Sequence, residues 1–425
     1  MYRSPKLEIN MRTVWIFNHY AQEPSGPGGT RHWSIAEHLR THGWNSVIVA
    51  GSVELNTGRQ RLKPGESKRL EVFGSTPFLW LRVPPHEGNG IARIYNMICY
   101  SIRAALIRPD KGIQRPDAVI GSSVHPFAAL AGWIQAWRHG VPFIFEVRDL
   151  WPQTLIDLGR ISPNGATAIT MRALERFLYQ RSSRVIALLP RAWEYVEECG
   201  TPRERVEWIP NGVEPGADPI PPRRTGTGLC TFMYFGAHGD ANGLDNVLRA
   251  MKLAQQDHRC AGLRLRLVGD GPRKPALQQL ARELELRNVV FEGPVPKAAI
   301  PALAADADAF VFNLVNAPVF KFGISSNKLF DYLCAARPIL FCCNAGNNPV
   351  AEAGAGITVQ PDDPEALLGG MLAIAEMPDD IRESTGRAGR EWVVANHSYA
   401  ILTERLANVL AVVATERKRR GQGRA

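Results

Sequence analysis

Short apolar runs recur along the chain and alternate with amphipathic stretches. TVWIF (13–17), SVIVA (46–50), AVIGSS (118–123), PFIFEV (142–147) and RVIALL (184–189) are brief and rich in β-branched and aromatic residues, which predicts buried strands. Between them RHWSIAEHLRTHGW (31–44), AALAGWIQAWRHG (128–140) and AITMRALERFLYQRSS (168–183) carry apolar positions near helical spacing, and Gly43 ends the first of these helices. Residues 210–228 are dense in proline and glycine and read as an interdomain linker. The alternation then restarts. CTFMYFG, LRLRLVG, VVFEG, AFVFNL and PILFCC predict strands, with helices at GLDNVLRAMKLAQQ, KPALQQLARELEL, PKAAIPALAADA and SNKLFDYLCAA. From Pro364 onward the pattern is almost wholly helical, ending in a basic, solvated tail.

Two successive strand–helix arrays predict an α/β protein with two doubly wound sheets. The expected binding site is a cleft lined by the carboxyl ends of both. The chain of 425 residues exceeds what one core serves, so two domains are the default. A net charge of +9 suits an anionic partner: a nucleotide, a nucleic acid or a membrane surface. No zinc-finger spacing or RNA-binding signature is present, which argues against nucleic acid. Seven scattered cysteines without a C-x-x-C pair indicate a reducing compartment. No apolar run reaches the roughly 20 residues of a membrane span, and MYRSPKLEIN lacks the apolar core of a signal peptide. The expected location is the cytoplasm.

Candidate chemistry sits at the strand ends. PSGPGGTRHW (24–33) places glycines in the turn after the first strand, where backbone could approach a ligand or simply form a tight turn. Neither this loop nor Gly269-Asp270-Gly271-Pro272 completes a dinucleotide fingerprint, so hydride transfer is disfavoured. The second loop leaves two readings open: a phosphate nest with Lys274 as counter-charge, or a turn with solvated charges. GISSNKLFDYL is sharper. Ser325, Ser326 and Asn327 are all N-cap residues, Lys328 adds a cation in the first turn, and Asp331 follows on about the same face. A helix start with a cation and a carboxylate suits a sugar nucleotide, with Lys328 on the diphosphate and Asp331 on ribose hydroxyls; a surface ion pair is the plain alternative. In the first half, His125, Glu146, Arg148 and Asp149 follow strands and are expected to face the cleft as catalytic candidates. No metal-ligand spacing is evident. Residues 77–110 mix exposed-looking aromatics with arginines, and 91–107 can form an amphipathic helix, either resting on an anionic leaflet or packing on the core.

In order and spacing, PGGTRHWSIAEHLRTHG, FEVRDLWPQTLIDLG, IPNGVE, YFGAHGDANGLDNVLRAM, LVGDGPRKPAL and FGISSNKLFDYLCAARPIL together resemble a family 4 glycosyltransferase of GT-B architecture. The similarity is to bacterial amino-sugar transferases of O-antigen and capsule assembly, of the N-acetyl-fucosamine type. It covers nearly the whole chain. It implies two Rossmann-like domains facing across a cleft, with a last helix crossing back to the first. The implied divisions are an acceptor domain over 1–212, a nucleotide-sugar domain over 213–395, and the returning helix and tail over 396–425. It also implies metal-independent, retaining transfer, without a cofactor, from a nucleoside diphosphate sugar. The expected donor is a uridine-linked N-acetylamino sugar and the expected acceptor a polyprenyl-diphosphate-linked saccharide, with the enzyme peripheral on the inner face of the plasma membrane. Gly28 and Gly29 would lie against the donor diphosphate and acceptor, and His125 would contact the donor sugar or its leaving phosphate. Glu146 or Asp149 would orient the acceptor hydroxyl, with Arg148 on an acceptor phosphate.

The resemblance is incomplete. Where many members carry an Arg and then a Lys after the first strand of the second domain, this chain has Gly236-Ala237-His238-Gly239 and Asp240-Ala241-Asn242. The cations expected instead are Lys328 and His238. The family's paired glutamates fall on Gly323 and Asp331, so sugar recognition is expected to use backbone amides of residues 323–326. Two competing functions remain: a sugar-nucleotide epimerase of the same fold, or a non-catalytic nucleotide-sugar-binding scaffold.

Overall fold

A computed structural model describes residues 11–26, 29–54, 58–86, 90–109, 112–216 and 230–422, with side chains to 417. The chain forms two compact units, Met1–Pro210 with Tyr399–Ala425, and Asn211–Ser398.

The first unit is built on an eight-stranded sheet of β1 (Arg12–Phe17), β2 (Trp44–Gly51), β3 (Lys68–Phe73), β4 (Thr76–Leu81), β5 (Ala118–Ser122), β6 (Phe143–Val147), β7 (Arg184–Ala187) and β8 (Val206–Trp208). The order is β3-β4-β2-β1-β5-β6-β7-β8. All pairings are parallel except β3 with β4. The apolar runs of the inner strands are continuous because both sheet faces are covered. The last helix, Tyr399–Gln422, belongs to this unit. Its Leu402, Leu406, Leu410 and Val413 join one core with Ile35 and Leu39 of helix Arg31–Leu39 and with Val14, Ile16 and Ile48 of the sheet.

One expectation is corrected here. Phe78 and Trp80 are not surface aromatics: they lie in β4, and both are buried. Downstream, helix Ile91–Ala105 divides its faces. Asn96, Tyr100 and Ala104 are buried, whereas Ile91, Ile94, Tyr95, Ile98 and Ile102 form an exposed stripe.

The second unit is an all-parallel six-stranded sheet of β9 (Cys230–Phe235), β10 (Leu263–Val268), β11 (Val289–Glu292), β12 (Ala309–Asn313), β13 (Ile339–Cys342) and β14 (Gly356–Val359). Its order is β11-β10-β9-β12-β13-β14. Separate cores fill its two faces. The segments entering and leaving this unit pair with each other, Val213 N–H donating to the His397 carbonyl at 2.9 Å. The Gly269–Pro272 turn has a structural cause. A Cβ at Gly269 would lie 2.0 Å from the Gly236 carbonyl oxygen, and one at Gly271 2.5 Å from that of His238. These glycines let two strand-end loops touch.

Strand order reverses between β1 and β5 in the first unit and between β9 and β12 in the second. In an open α/β sheet the crevice for a ligand opens at the carboxyl ends of such a pair.

Candidate functional site

In the first unit β1 runs into Asn18, His19 and Tyr20, and β5 leads to His125. The His125 side chain caps helix Pro126–His139, its Nδ1 accepting the Ala128 N–H at 3.2 Å. Its Nε2 therefore carries the proton and donates to His19 Nδ1, 2.8 Å away. That leaves His19 protonated at Nε2, which has no partner among the described residues. The His19 ring is stacked between Tyr20 and Tyr100, at centroid distances of 4.1 and 4.3 Å. Burial, reinforced by nearby positive charge, pushes His125 down to about 3 and His19 well below the ordinary range, so both are neutral at pH 7. His125 is 1% exposed with both nitrogens engaged.

Glu146, at the end of β6, is not an open carboxylate. Arg31 Nε donates to its Oε1 at 3.0 Å, and His32 Nε2 to its Oε2 at 2.6 Å. The other side of His32 accepts from Asn18 Nδ2 at 2.7 Å. Arg31 also donates to the carbonyls of Ile209 and Pro210. Burial alone would raise the Glu146 pKa, but His32, Arg31 and Arg148 outweigh it and hold the carboxyl well below the usual range. This clamp joins the first helix, β6 and the end of β8. Its role is to hold the edge of the sheet, whereas Asp149, three residues on, is exposed. Arg148 is half-buried, with its N–H on the Ser123 hydroxyl at 3.0 Å. Gly29 is exposed ahead of the first helix, and Gly28 lies outside the described residues. His19, Arg31 and His32 escaped the sequence reading, although Arg31 and His32 follow directly on the glycine loop.

In the second unit the cation of Lys328 reaches the loop that lacks the family's Arg and Lys. Its Nζ is 2.9 Å from the Tyr234 hydroxyl and also donates to Asn242 Oδ1. It stands 4.7 Å from the Tyr234 ring centroid. Burial lowers its pKa to about 7. His238 is fully buried, and neither ring nitrogen has a partner among the described residues. Burial first, then Lys274 and Lys328, lowers its pKa to about 4. Lys274 is committed to protein: its ammonium donates to the Gly269 and Glu292 carbonyls, both at 2.7 Å.

The expected run of free amides is shorter than residues 323–326. The Gly323 N–H donates to the Phe320 carbonyl and the Ile324 N–H to Asn347 Oδ1. The amides of Ser325 and Ser326 have no acceptor among the described residues, and Ser326 stands at the N-cap position of helix Asn327–Cys334 without a side-chain capping bond. The Ser325 hydroxyl and carbonyl accept from Asn211, at 2.8 and 2.6 Å. Asp331 lies one turn along, with Lys297 Nζ at 3.6 Å. Burial raises its carboxyl pKa and Lys297 opposes the rise. Two free amides at a helix start, a lysine and a neutral histidine make a cradle for an anion with protons to donate. No group of three or more His, Cys, Asp or Glu among the described residues could hold a metal ion. No described helix is long and apolar enough to cross a membrane.

Residues 27–212 match the family model described as a glycosyl transferase 4-like domain, and residues 230–377 that described as glycosyl transferases group 1. A probable glycosyltransferase of Pseudomonas aeruginosa, WbjE, is 23% identical over 78% of this chain and 82% of its own. LpsD of Rhizobium meliloti, a lipopolysaccharide core biosynthesis glycosyltransferase, is 26% identical over 71% of this chain and 87% of its own. Among solved structures, HepE of Anabaena in complex with UDP-glucose superposes with a TM-score of 0.62 at 14% identity, covering 95% of this chain and all (100%) of that one.

Proposed function

The chain belongs to the family 4 glycosyltransferases of GT-B architecture, and from that premise we propose that it moves an N-acetylamino sugar from a uridine diphosphate sugar to a polyprenyl-diphosphate-linked saccharide, with retention of configuration, in surface polysaccharide synthesis. The observation that carries the donor half is Lys328, whose ammonium stands at Tyr234 and Asn242, beside the loop where the family's own cations are missing. The surface-polysaccharide assignment draws on the lipopolysaccharide role named for LpsD. The uridine assignment draws on the UDP-glucose held by HepE.

In this reading the departing diphosphate gains negative charge as the sugar–oxygen bond breaks. Lys328, the Ser325 and Ser326 amides and the His238 ring meet that charge, each such donor being worth about 3 kcal/mol in comparable sites. Asp331 accepts from the ribose hydroxyls. On the acceptor side Asp149 orients the attacking hydroxyl and Arg148 meets a phosphate. His125, buried with both nitrogens bonded to protein, acts indirectly by holding His19 in the tautomer protonated at Nε2. The acceptor hydroxyl attacks the face the diphosphate leaves, within an ion pair, and its proton passes to the departing phosphate. No metal is required because the protein's own donors supply the positive field. The stripe on helix Ile91–Ala105 rests the enzyme on the cytoplasmic leaflet.

The test is thermal shift with UDP, GDP, ADP and TDP, with and without EDTA. A ligand at about 100 times its Kd stabilises the folded state by about 2.7 kcal/mol. Selective stabilisation by UDP, unchanged by EDTA and lost in Lys328→Ala, is expected. If no nucleotide shifts the transition, the donor assignment is wrong.

A further inference from the structure

The first unit carries a groove of about 710 Å³ at the edge of its sheet opposite the candidate site. Its floor includes Phe143 and Arg184, the first residues of β6 and β7, whereas Glu146, Arg148 and Asp149 stand at the far end of β6. Its walls are the ends of helices Pro126–His139 and Ala166–Arg181 and residues 413–417 of the closing helix, all within one unit.

The lining is strongly one-sided in charge. Arg181, Arg184, Arg205 and Arg417 face a single carboxylate, Glu416, which is taken up by Arg184 at 2.6 Å. Arg205 donates to the Ser182 carbonyl. Arg181 lies over the Phe177 ring at 5.5 Å and Arg417 is exposed; neither has a carboxylate partner among the described residues. The two helix ends bring about half a negative charge each, which still leaves the groove positive. The sequence beyond Glu416, RKRRGQGRA, adds cations and no carboxylate. The lining also holds two indoles. Trp133 is half-buried and edge-on to Phe177 at 4.8 Å, and Trp137, one turn along, is 72% exposed. An exposed tryptophan among guanidiniums is the composition of a binding hot spot.

The occupant follows from these features. A small ligand is disfavoured, because no buried, unpartnered polar atom among the described residues lies in the lining to converge on one. A bilayer is flat and does not enter a groove. A second copy of this chain would bring the same cations to a two-fold contact. An acidic stretch of polypeptide satisfies both features, with carboxylates on the guanidinium forks and an apolar side chain on Trp137. We propose that this groove is the docking site for an acidic segment of a partner protein. Binding there leaves the carboxyl ends of the strands open, so the chain can be held in an assembly while its candidate site stays accessible.

The test is fluorescence anisotropy with short labelled peptides of mixed glutamate and leucine, of glutamate alone, and of mixed lysine and leucine. Wild-type protein is expected to bind the glutamate–leucine peptide roughly tenfold or more tightly than the glutamate peptide, the scale of burying one leucine, and to ignore the lysine peptide. Trp137→Ala is expected to abolish that preference. Arg181→Glu is expected to weaken binding roughly tenfold or more, and Arg417→Glu, on another wall, to do the same. Arg249→Glu makes the same charge change at an exposed position of helix Leu244–Gln256 in the second unit, and is expected to leave affinity within about twofold. No binding by wild-type protein overturns the proposal. So does an equal loss in Arg249→Glu, which would show a diffuse field and no groove, or a preference that survives Trp137→Ala. Displacement of the peptide by phosphatidylglycerol vesicles would also overturn it, by giving the surface to lipid.

Discussion

With a pKa near 7, Lys328 titrates far from the ordinary lysine value of 10.5. The unfolded chain holds the extra proton between those two values, so the free protein gains stability from this group as pH rises through that window. A bound diphosphate favours the charged ammonium, so UDP affinity is expected to fall as pH rises above about 7. Calorimetry on either side of that midpoint should show weaker binding and proton uptake on the alkaline side. Equal affinity with no uptake would remove Lys328 from the phosphates. Glu146 gives a slope of the same sign in a more acidic window. Its folded pKa is depressed below 4.5, so its contribution is present above that value and lost as pH falls. Glu146→Gln leaves the buried Arg31 without its counter-charge and is expected to cost about 3–5 kcal/mol, read from the urea midpoint. A loss of turnover without that destabilisation would return Glu146 to the list of groups acting on substrate. The two residues also differ in how well the sequence announced them. Lys328 sits in a run of N-cap residues, a local signal. The partners of Glu146 lie 114 and 115 positions away, and no local pattern connects them.

At the level of elements, the strands that read most clearly are those buried on both faces, because their apolar runs are continuous. β3 was not foreseen. KRLEVF alternates exposed and half-buried positions at the antiparallel edge of the sheet, so its apolar content is diluted by charge. The burial of Phe78 and Trp80 likewise comes from distant pairing of β4 with β2, Ile48 facing Phe78 and Ala50 facing Trp80. The turn before helix Asn327–Cys334 depends on a close approach that sequence alone does not disclose. A Cβ at Gly346 would lie 2.1 Å from the Lys321 carbonyl oxygen. Gly346→Ala is therefore expected to displace segment Pro318–Phe322, cost about 1–3 kcal/mol and weaken UDP binding. Gly369→Ala, in helix Pro364–Ala375 with nothing within 4 Å, should instead gain up to about 1 kcal/mol and leave UDP affinity alone. Thermal melts and UDP titrations of the two variants side by side check both. Equal effects would mean that crowding at Gly346 has no part in shaping the turn.

For the whole molecule, the decisive feature is that the first unit is discontinuous in sequence, closed by helix Tyr399–Gln422. A chain ending at Ser398 lacks Leu402, Leu406, Leu410 and Val413, and with them one wall of the first unit's core. Each lost leucine-sized contact is worth about 2–5 kcal/mol, against a typical total stability of about 5–15 kcal/mol. Such a chain is expected to lose the cooperative melting transition of the first unit and to aggregate; a truncated protein with both transitions intact would show the helix to be dispensable. The same feature governs the order of events during translation. The ribosome delivers the first unit's sheet early and its closing helix only after 188 further residues, 211–398, have emerged. The nascent sheet must wait, with its apolar wall uncovered, while the intervening unit folds. The cell thus holds no finished first unit until the closing helix is released, and a message cut short upstream of it yields a product suited to chaperones and proteases and not to sugar transfer.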